Sequence, residues 1–212
     1  SAVVSKQQPK RVIGPNDKIR VGFIGVGNRG TQLLHMFMEN PDCEVAALCD
    51  VYEPFTTRDY STVNPRYIKD LTTKIPKMGE KFPNKVKLYT DYRKLLDDKT
   101  IDAVCIATPD HWHAIQTIDA IKAGKDVFVE KPLSKTIAEG RAMVNAGKNS
   151  KQIISVGLNR RGAPTFQKLA REIPAGKIGK VTFASCSHVS NMAPNGIGKL
   201  FPEQPPKDFD WN

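Results

Sequence analysis

Between Ile19 and Leu158, short runs of branched apolar residues alternate with segments of helical period, and this alternation leaves few folds open. The apolar runs are IRVGFIG (19–25), EVAALCD (44–50), VKLYT (86–90), IDAVCIAT (101–108), KDVFVEK (125–131) and QIISVGL (152–158). Between them stand TQLLHMFMEN (31–40), DYRKLLDD (91–98), HAIQTIDAIKAG (113–124) and IAEGRAMVNAGKN (137–149). In the first of these, Leu33, Leu34, Phe37 and Met38 recur at the spacing of one helix face. Strand and helix in strict alternation imply βαβ units and a parallel sheet. The strands are continuous rather than alternating apolar runs, as a sheet covered by helices on both faces requires. The expected fold is therefore α/β, with a doubly wound parallel sheet over residues 19–160.

The flanks differ in character. Residues 1–18 are polar, hold Pro9, Gly14 and Pro15, show no period and read as a tail. Prolines at 54, 65, 76 and 83 cut residues 51–85 into short pieces, an enlarged crossover with one or two helices. Residues 161–212 are expected to begin a second, α+β domain that the chain does not complete. There, TFQKLAREIPAGKIG reads as a helix broken at Pro174, KVTFASCSHVS (180–190) as a long alternating strand, and the remainder as coil. The tail before the first strand is read as what a removed leader leaves behind, which favours an exported protein over a cytoplasmic one.

Charge and cysteine usage exclude several classes. The net charge of +10 raises the question of nucleic acid, but the basic residues are scattered, with no run of five and no RNA-binding aromatic signature. No stretch approaches the ~18 apolar residues of a membrane span. Cys43, Cys49, Cys105 and Cys186 show neither C-x-x-C nor zinc spacing, so no metal site is expected.

The chemistry-bearing residues gather at strand ends. Gly25-Val26-Gly27-Asn28-Arg29-Gly30 is G-x-G-x-x-G after a strand and before a helix, with Asp50 twenty residues beyond Gly30. Gly25 allows the tight turn, Gly27 the close approach of a pyrophosphate and Gly30 close helix–strand packing. Phosphates would meet the free N–H groups of the positive helix end. Asp50 would accept hydrogen bonds from adenosine ribose hydroxyls and repel a 2′-phosphate, favouring NAD over NADP. The fourth strand ends in Thr108-Pro109-Asp110-His111-Trp112-His113, where Asp110 either caps the next helix or faces a ligand, and Trp112 either anchors the helix or serves the rim. The fifth ends in Glu130-Lys131-Pro132, where a lysine could polarise a substrate hydroxyl. The sixth runs out through Asn159, Arg160 and Arg161, of which at least one could reach a cofactor or an anionic substrate.

In this order, GFIGVGNRG, CDVYEP, ATPDHWHA, VEKPLS and VGLNRR resemble the Gfo/Idh/MocA oxidoreductases over roughly residues 19–190. The resemblance implies a Rossmann domain that binds NAD(P), followed by a C-terminal domain carrying much of a sugar site, and a homo-oligomer in the intact protein. It places Lys131 where the family keeps its EKP lysine, near the nicotinamide and the reacting hydroxyl, and His113 where the TPDxxH turn closes beside the cofactor. Those two are the expected catalytic residues. Gly25, Gly27, Asn28, Arg29, Gly30, Asp50, Thr108, Pro109, Asp110, His113, Glu130, Lys131, Pro132, Asn159 and Arg161 are the expected cofactor contacts. The second catalytic group that family members carry on a D-x-x-x-H segment has no match, and His188 lies in the strand-like run instead. The activity implied is hydride transfer between a sugar or cyclitol hydroxyl and NAD. NAD-dependent glycoside hydrolysis by transient oxidation is the alternative, and a non-catalytic NAD-binding sensor or assembly protein a third.

Overall fold

The computed structural model describes residues 13–57 and 86–187; the side chains of Asn159 and Arg160 are not among what it describes. The tail up to residue 12, most of the proline-cut crossover, and His188 with the coil-like end lie outside the described residues.

The elements follow the expected order. β1 is Ile19–Ile24, α1 Asn28–Glu39, β2 Cys43–Cys49, α2 Glu53–Thr57, β3 Lys87–Tyr89, α3 Tyr92–Asp97 and β4 Ala103–Ile106. They continue as α4 Asp110–Lys122, β5 Asp126–Glu130, α5 Ile137–Lys148, β6 Ile154–Gly157, α6 Asn159–Gly162 and α7 Pro164–Glu172. The six strands form a sheet in the order β3-β2-β1-β4-β5-β6, and every pairing is parallel. The order reverses between β1 and β4, the switch point at which open α/β sheets open a crevice beyond their strand ends.

Side-chain alternation explains why the strands are apolar throughout. Val21, Phe23 and Cys105 pack on one face with Leu33 and Leu34 of α1, and Phe37 and Phe128 join them. Ile24, Val104, Ile106, Val127 and Val129 pack on the other face with Leu95, Leu96, Ala120 and Ile121 of α3 and α4. Consecutive strand residues point to opposite faces, and here both faces are roofed by helices. All four cysteines are free, and burial pushes the Cys49 thiol up to about 12, so it behaves as a small apolar residue.

At the amino ends of the strands, polar groups close the layer. Lys125 is buried, and its ammonium donates to the carbonyls of Asp98 (2.7 Å) and Ile101 (2.8 Å). The Asp98 carboxylate accepts from Lys87 Nζ at 2.6 Å, Tyr89 Oη at 3.0 Å, and the Thr100 backbone N–H (2.9 Å) and hydroxyl (2.8 Å).

The described residues divide after Gly157, and 158–187 form a second unit. α7 is the expected helix after Gly162, and it ends at Glu172, before Pro174. Two expectations fail here. β6 stops at Gly157, and Asn159–Gly162 turn into a short helix instead of extending the strand. Residues 180–187 are extended by sequence but form no strand, and Val181 and Phe183 stand 51% and 83% exposed. Alternation marks a face that seeks a partner, but a strand exists only where a neighbouring ladder accepts its N–H and C=O groups. Among the described residues none pairs with 180–187.

Candidate functional site

The carboxyl ends of the strands bring most of the expected residues to one edge. Gly25 follows β1 with φ +84°, and an added Cβ would sit 2.7 Å from the Thr108 nitrogen, so only glycine can turn there. A Cβ on Gly30 would lie 2.0 Å from the Gly25 carbonyl oxygen, so the third glycine lets α1 close onto the turn. Gly27 differs. The atoms its Cβ would meet are those of the Phe55 ring, at 3.4 Å, which is ordinary contact. Packing within the protein does not demand glycine there, whereas a pyrophosphate seated on the backbone would.

Gly27 is the N-cap of α1, and no side chain caps the first turn, which also lacks an acidic residue. Its N–H groups are therefore available to an anion, with the helix dipole in the same sense. Asn28 opens the helix and accepts a long bond of 3.4 Å from Gln32 Nε2. Asp50 follows β2, and its carboxylate is held by the backbone: Val26 N–H donates to Oδ2 (2.8 Å) and Tyr52 N–H to Oδ1 (3.0 Å). A carboxylate is an acceptor of the kind that ribose hydroxyls require. The residues present fit a dinucleotide.

The turn after β4 is held internally. The Thr108 hydroxyl donates to Gln116 Oε1 at 2.7 Å. Pro109 is the N-cap residue of α4 and Asp110 its first residue, so Asp110 adds a favourable charge to the first turn without capping it. His111 is exposed, and Trp112, 38% exposed, stands edge-on to Tyr92 with ring centroids 6.2 Å apart. Both helix-start anchoring and rim exposure therefore apply to Trp112.

His113 is 1% exposed, and its ring nitrogens face two carbonyl oxygens: Nδ1 that of Pro132 at 2.6 Å, and Nε2 that of Thr108 at 2.7 Å. It joins the turn after β4 to the exit of β5. Glu130, the last residue of β5, is 3% exposed. Its Oε1 accepts from Arg29 Nε (2.7 Å) and Nη2 (2.6 Å), and its Oε2 accepts from the Lys131 backbone N–H (3.0 Å). The Lys131 side chain is exposed at the edge, and the Lys131–Pro132 bond is cis.

Asn159 and Arg161 belong to the second unit, where Arg161 is exposed and its carbonyl accepts from Gln167 Nε2. Three relationships escaped sequence reasoning: the Arg29–Glu130 pair, Gln116 beneath Thr108, and Phe55 against Gly27. Only the first left a signal, an Arg and a Glu of opposite charge at two strand ends that share an edge.

A family model described as "Oxidoreductase family, NAD-binding Rossmann fold" (GFO_IDH_MocA) matches residues 19–158. The chain belongs to the Gfo/Idh/MocA family. Among curated relatives, an alpha-N-acetylgalactosaminidase from Shewanella oneidensis is 36% identical over 121 residues, which are 57% of this chain and 24% of that protein. A glycosyl hydrolase family 109 protein from Shewanella putrefaciens is 34% identical over 160 residues, 72% of this chain and 32% of the relative. Among solved structures, a myo-inositol 2-dehydrogenase from Lactobacillus plantarum superposes with a TM-score of 0.62 at 24% identity, covering 78% of this chain and 43% of the other. This Gfo/Idh/MocA chain thus spans about a quarter to a third of the curated relatives it matches. Among the described residues no helix is long and apolar enough to cross a membrane.

Proposed function

We propose that this chain is the NAD-binding part of an oxidoreductase that moves hydride between a carbinol carbon of a sugar or cyclitol and nicotinamide. The observation that carries this reading is the convergence on one edge of the glycine turn after β1, Asp50 after β2, Thr108-Pro109 after β4 and Lys131 after β5. Parallel strands lie ~4.8 Å apart, so Lys131 leaves the edge roughly 10 Å from Gly25, two strands away.

NAD, when bound, supplies the hydride acceptor. The N–H groups of residues 27–30 hold its phosphates, and Asp50 accepts from the adenosine ribose while opposing a 2′-phosphate, which favours NAD over NADP. The Lys131 ammonium would lie against the reacting hydroxyl and stabilise negative charge as its proton passes to solvent and the hydride to nicotinamide. His113 acts at one remove. With both nitrogens committed to carbonyls, it positions Thr108 and Pro132 and does not itself touch the substrate.

The test is calorimetric titration with NAD and NADP, followed by a panel of sugars and cyclitols with NADH formation as readout. NAD binding with net NADH formation is the expected result; tighter NADP binding, or none of either, overturns the cofactor assignment. A second reading, glycoside cleavage through transient oxidation, draws on the two Shewanella relatives. Phenol release from nitrophenyl glycosides without net NADH distinguishes it, and cofactor binding with neither product marks a sensor.

A further inference from the structure

We propose that Arg29 and Glu130 are a positioning pair that ties the phosphate-binding turn to the backbone of Lys131, so that cofactor seating and lysine placement are one event. This rests on the NAD-binding reading above and deepens it.

Arg29 lies in the G-x-G-x-x-G turn and Glu130 at the end of β5, 101 residues later, with β4 between their strands. Two guanidinium nitrogens converge on one carboxylate oxygen at 2.6 and 2.7 Å, while Nη1 donates to Gln32 Oε1 at 2.9 Å. All three guanidinium nitrogens are thus engaged within the protein, and the backbone N–H groups of the first turn face any anion there. The Glu130 side chain is 4% exposed, and the Arg29 guanidinium is the opposite charge that meets it there. Its second oxygen holds the Lys131 N–H, and one residue further His113 holds the Pro132 carbonyl. The lysine backbone is thus held on both sides. Gly157 of β6 completes the seat, because a Cβ there would come within 3.1 Å of Glu130 Oε1. Any shift of the turn as a dinucleotide binds is transmitted through one rigid carboxylate to Lys131.

The test uses the 212-residue chain with Arg29→Met, Glu130→Gln and the charge-keeping Arg29→Lys. Two readouts separate positioning from folding. In the cofactor-free chain, amide hydrogen exchange at Lys131 should quicken at least tenfold in Arg29→Met and Glu130→Gln, with Val127 and Val129 of β5 unchanged. In the second, NAD should protect the Lys131 amine from acetic anhydride several-fold in the unsubstituted chain. Both variants should lose that protection at NAD concentrations that calorimetry shows to be saturating for each, and Arg29→Lys should retain part of it. Equal acceleration at Val127 and Val129 assigns the pair to general stability and overturns the proposal, as does unchanged Lys131 exchange. Protection lost only in proportion to NAD occupancy also overturns it. Absence of any NAD binding by the unsubstituted chain overturns the reading beneath, while the exchange result still judges the pair.

Discussion

Nδ1 of His113 lies 2.6 Å from the carbonyl oxygen of Pro132, and this contact joins the first turn of α4 to the exit of β5. The other ring nitrogen lies 2.7 Å from the Thr108 carbonyl, and the ring is almost wholly enclosed. Removing the imidazole takes an N–H donor from these carbonyls and leaves a cavity between two loops. His113→Ala should therefore cost about 3 kcal/mol, the sum of a cavity and a desolvation term. For a domain of this size that lowers Tm by roughly 6–12 °C. Urea and thermal unfolding check it, and a loss below about 1 kcal/mol contradicts the positioning role.

Gly27 and Gly30 should separate binding from folding. Among the described residues the Gly27 Cβ would meet only a ring edge at 3.4 Å, and its φ of −67° suits any residue. Gly27→Ala should fold with a stability change under about 1 kcal/mol and lose NAD affinity about tenfold or more, because the added methyl occupies the phosphate approach. Gly30→Ala puts a carbon 2.0 Å from the Gly25 carbonyl oxygen and should lower stability by about 3 kcal/mol. Unfolding curves beside calorimetric NAD titrations decide between these outcomes.

Asp50→Ala should narrow the preference for NAD over NADP by about tenfold, the effect of removing one charge opposed to a 2′-phosphate. It also removes the acceptor that Asp50 gives the Val26 and Tyr52 N–H groups, so NAD affinity itself should fall. Titration of both cofactors into both proteins measures the ratio, and an unchanged ratio removes Asp50 from specificity.

Lys131→Ala, in the catalytically active polypeptide, should lower kcat by about 10²–10³ while NAD affinity stays within a few-fold, the signature of a group acting in the transition state. Steady-state kinetics beside a cofactor titration is the check. Turnover surviving within about fivefold makes Lys131 a surface charge.

Acid sensitivity should trace to Asp98. Burial by itself raises its pKa, but hydrogen bonds from Lys87, Thr100 and Tyr89 more than reverse this and hold the carboxyl well below the usual carboxylate range. In acid the folded chain therefore binds fewer protons at this site than the unfolded chain does. The contribution is complete above about pH 4 and is lost as pH falls below it. Asp98→Asn should be less stable than the unsubstituted chain at pH 7, with the difference shrinking by pH 3. Urea midpoints at the two pH values test the sign.

The chain's order of elements and the edge that carries the site were determined by sequence alone. Continuous β-branched runs between helical periods admit only a covered parallel sheet, and such a sheet sends every strand's carboxyl end to one side. Gly25, Asp50, Thr108 and Lys131 were legible for that reason, since each follows a strand. What those residues touch was decided by the tertiary structure. Arg29 meets Glu130 across 101 residues only because β4 inserts between β1 and β5, and His113 meets Pro132 only because α4 packs against the exit of β5. A side chain's local pattern reports which face it prefers, whereas its partner is set by which strand lies next. The residues from 180 to 187 show the same division from the other side. Their alternation is strand-like, yet among the described residues no neighbouring ladder pairs with them and no strand forms.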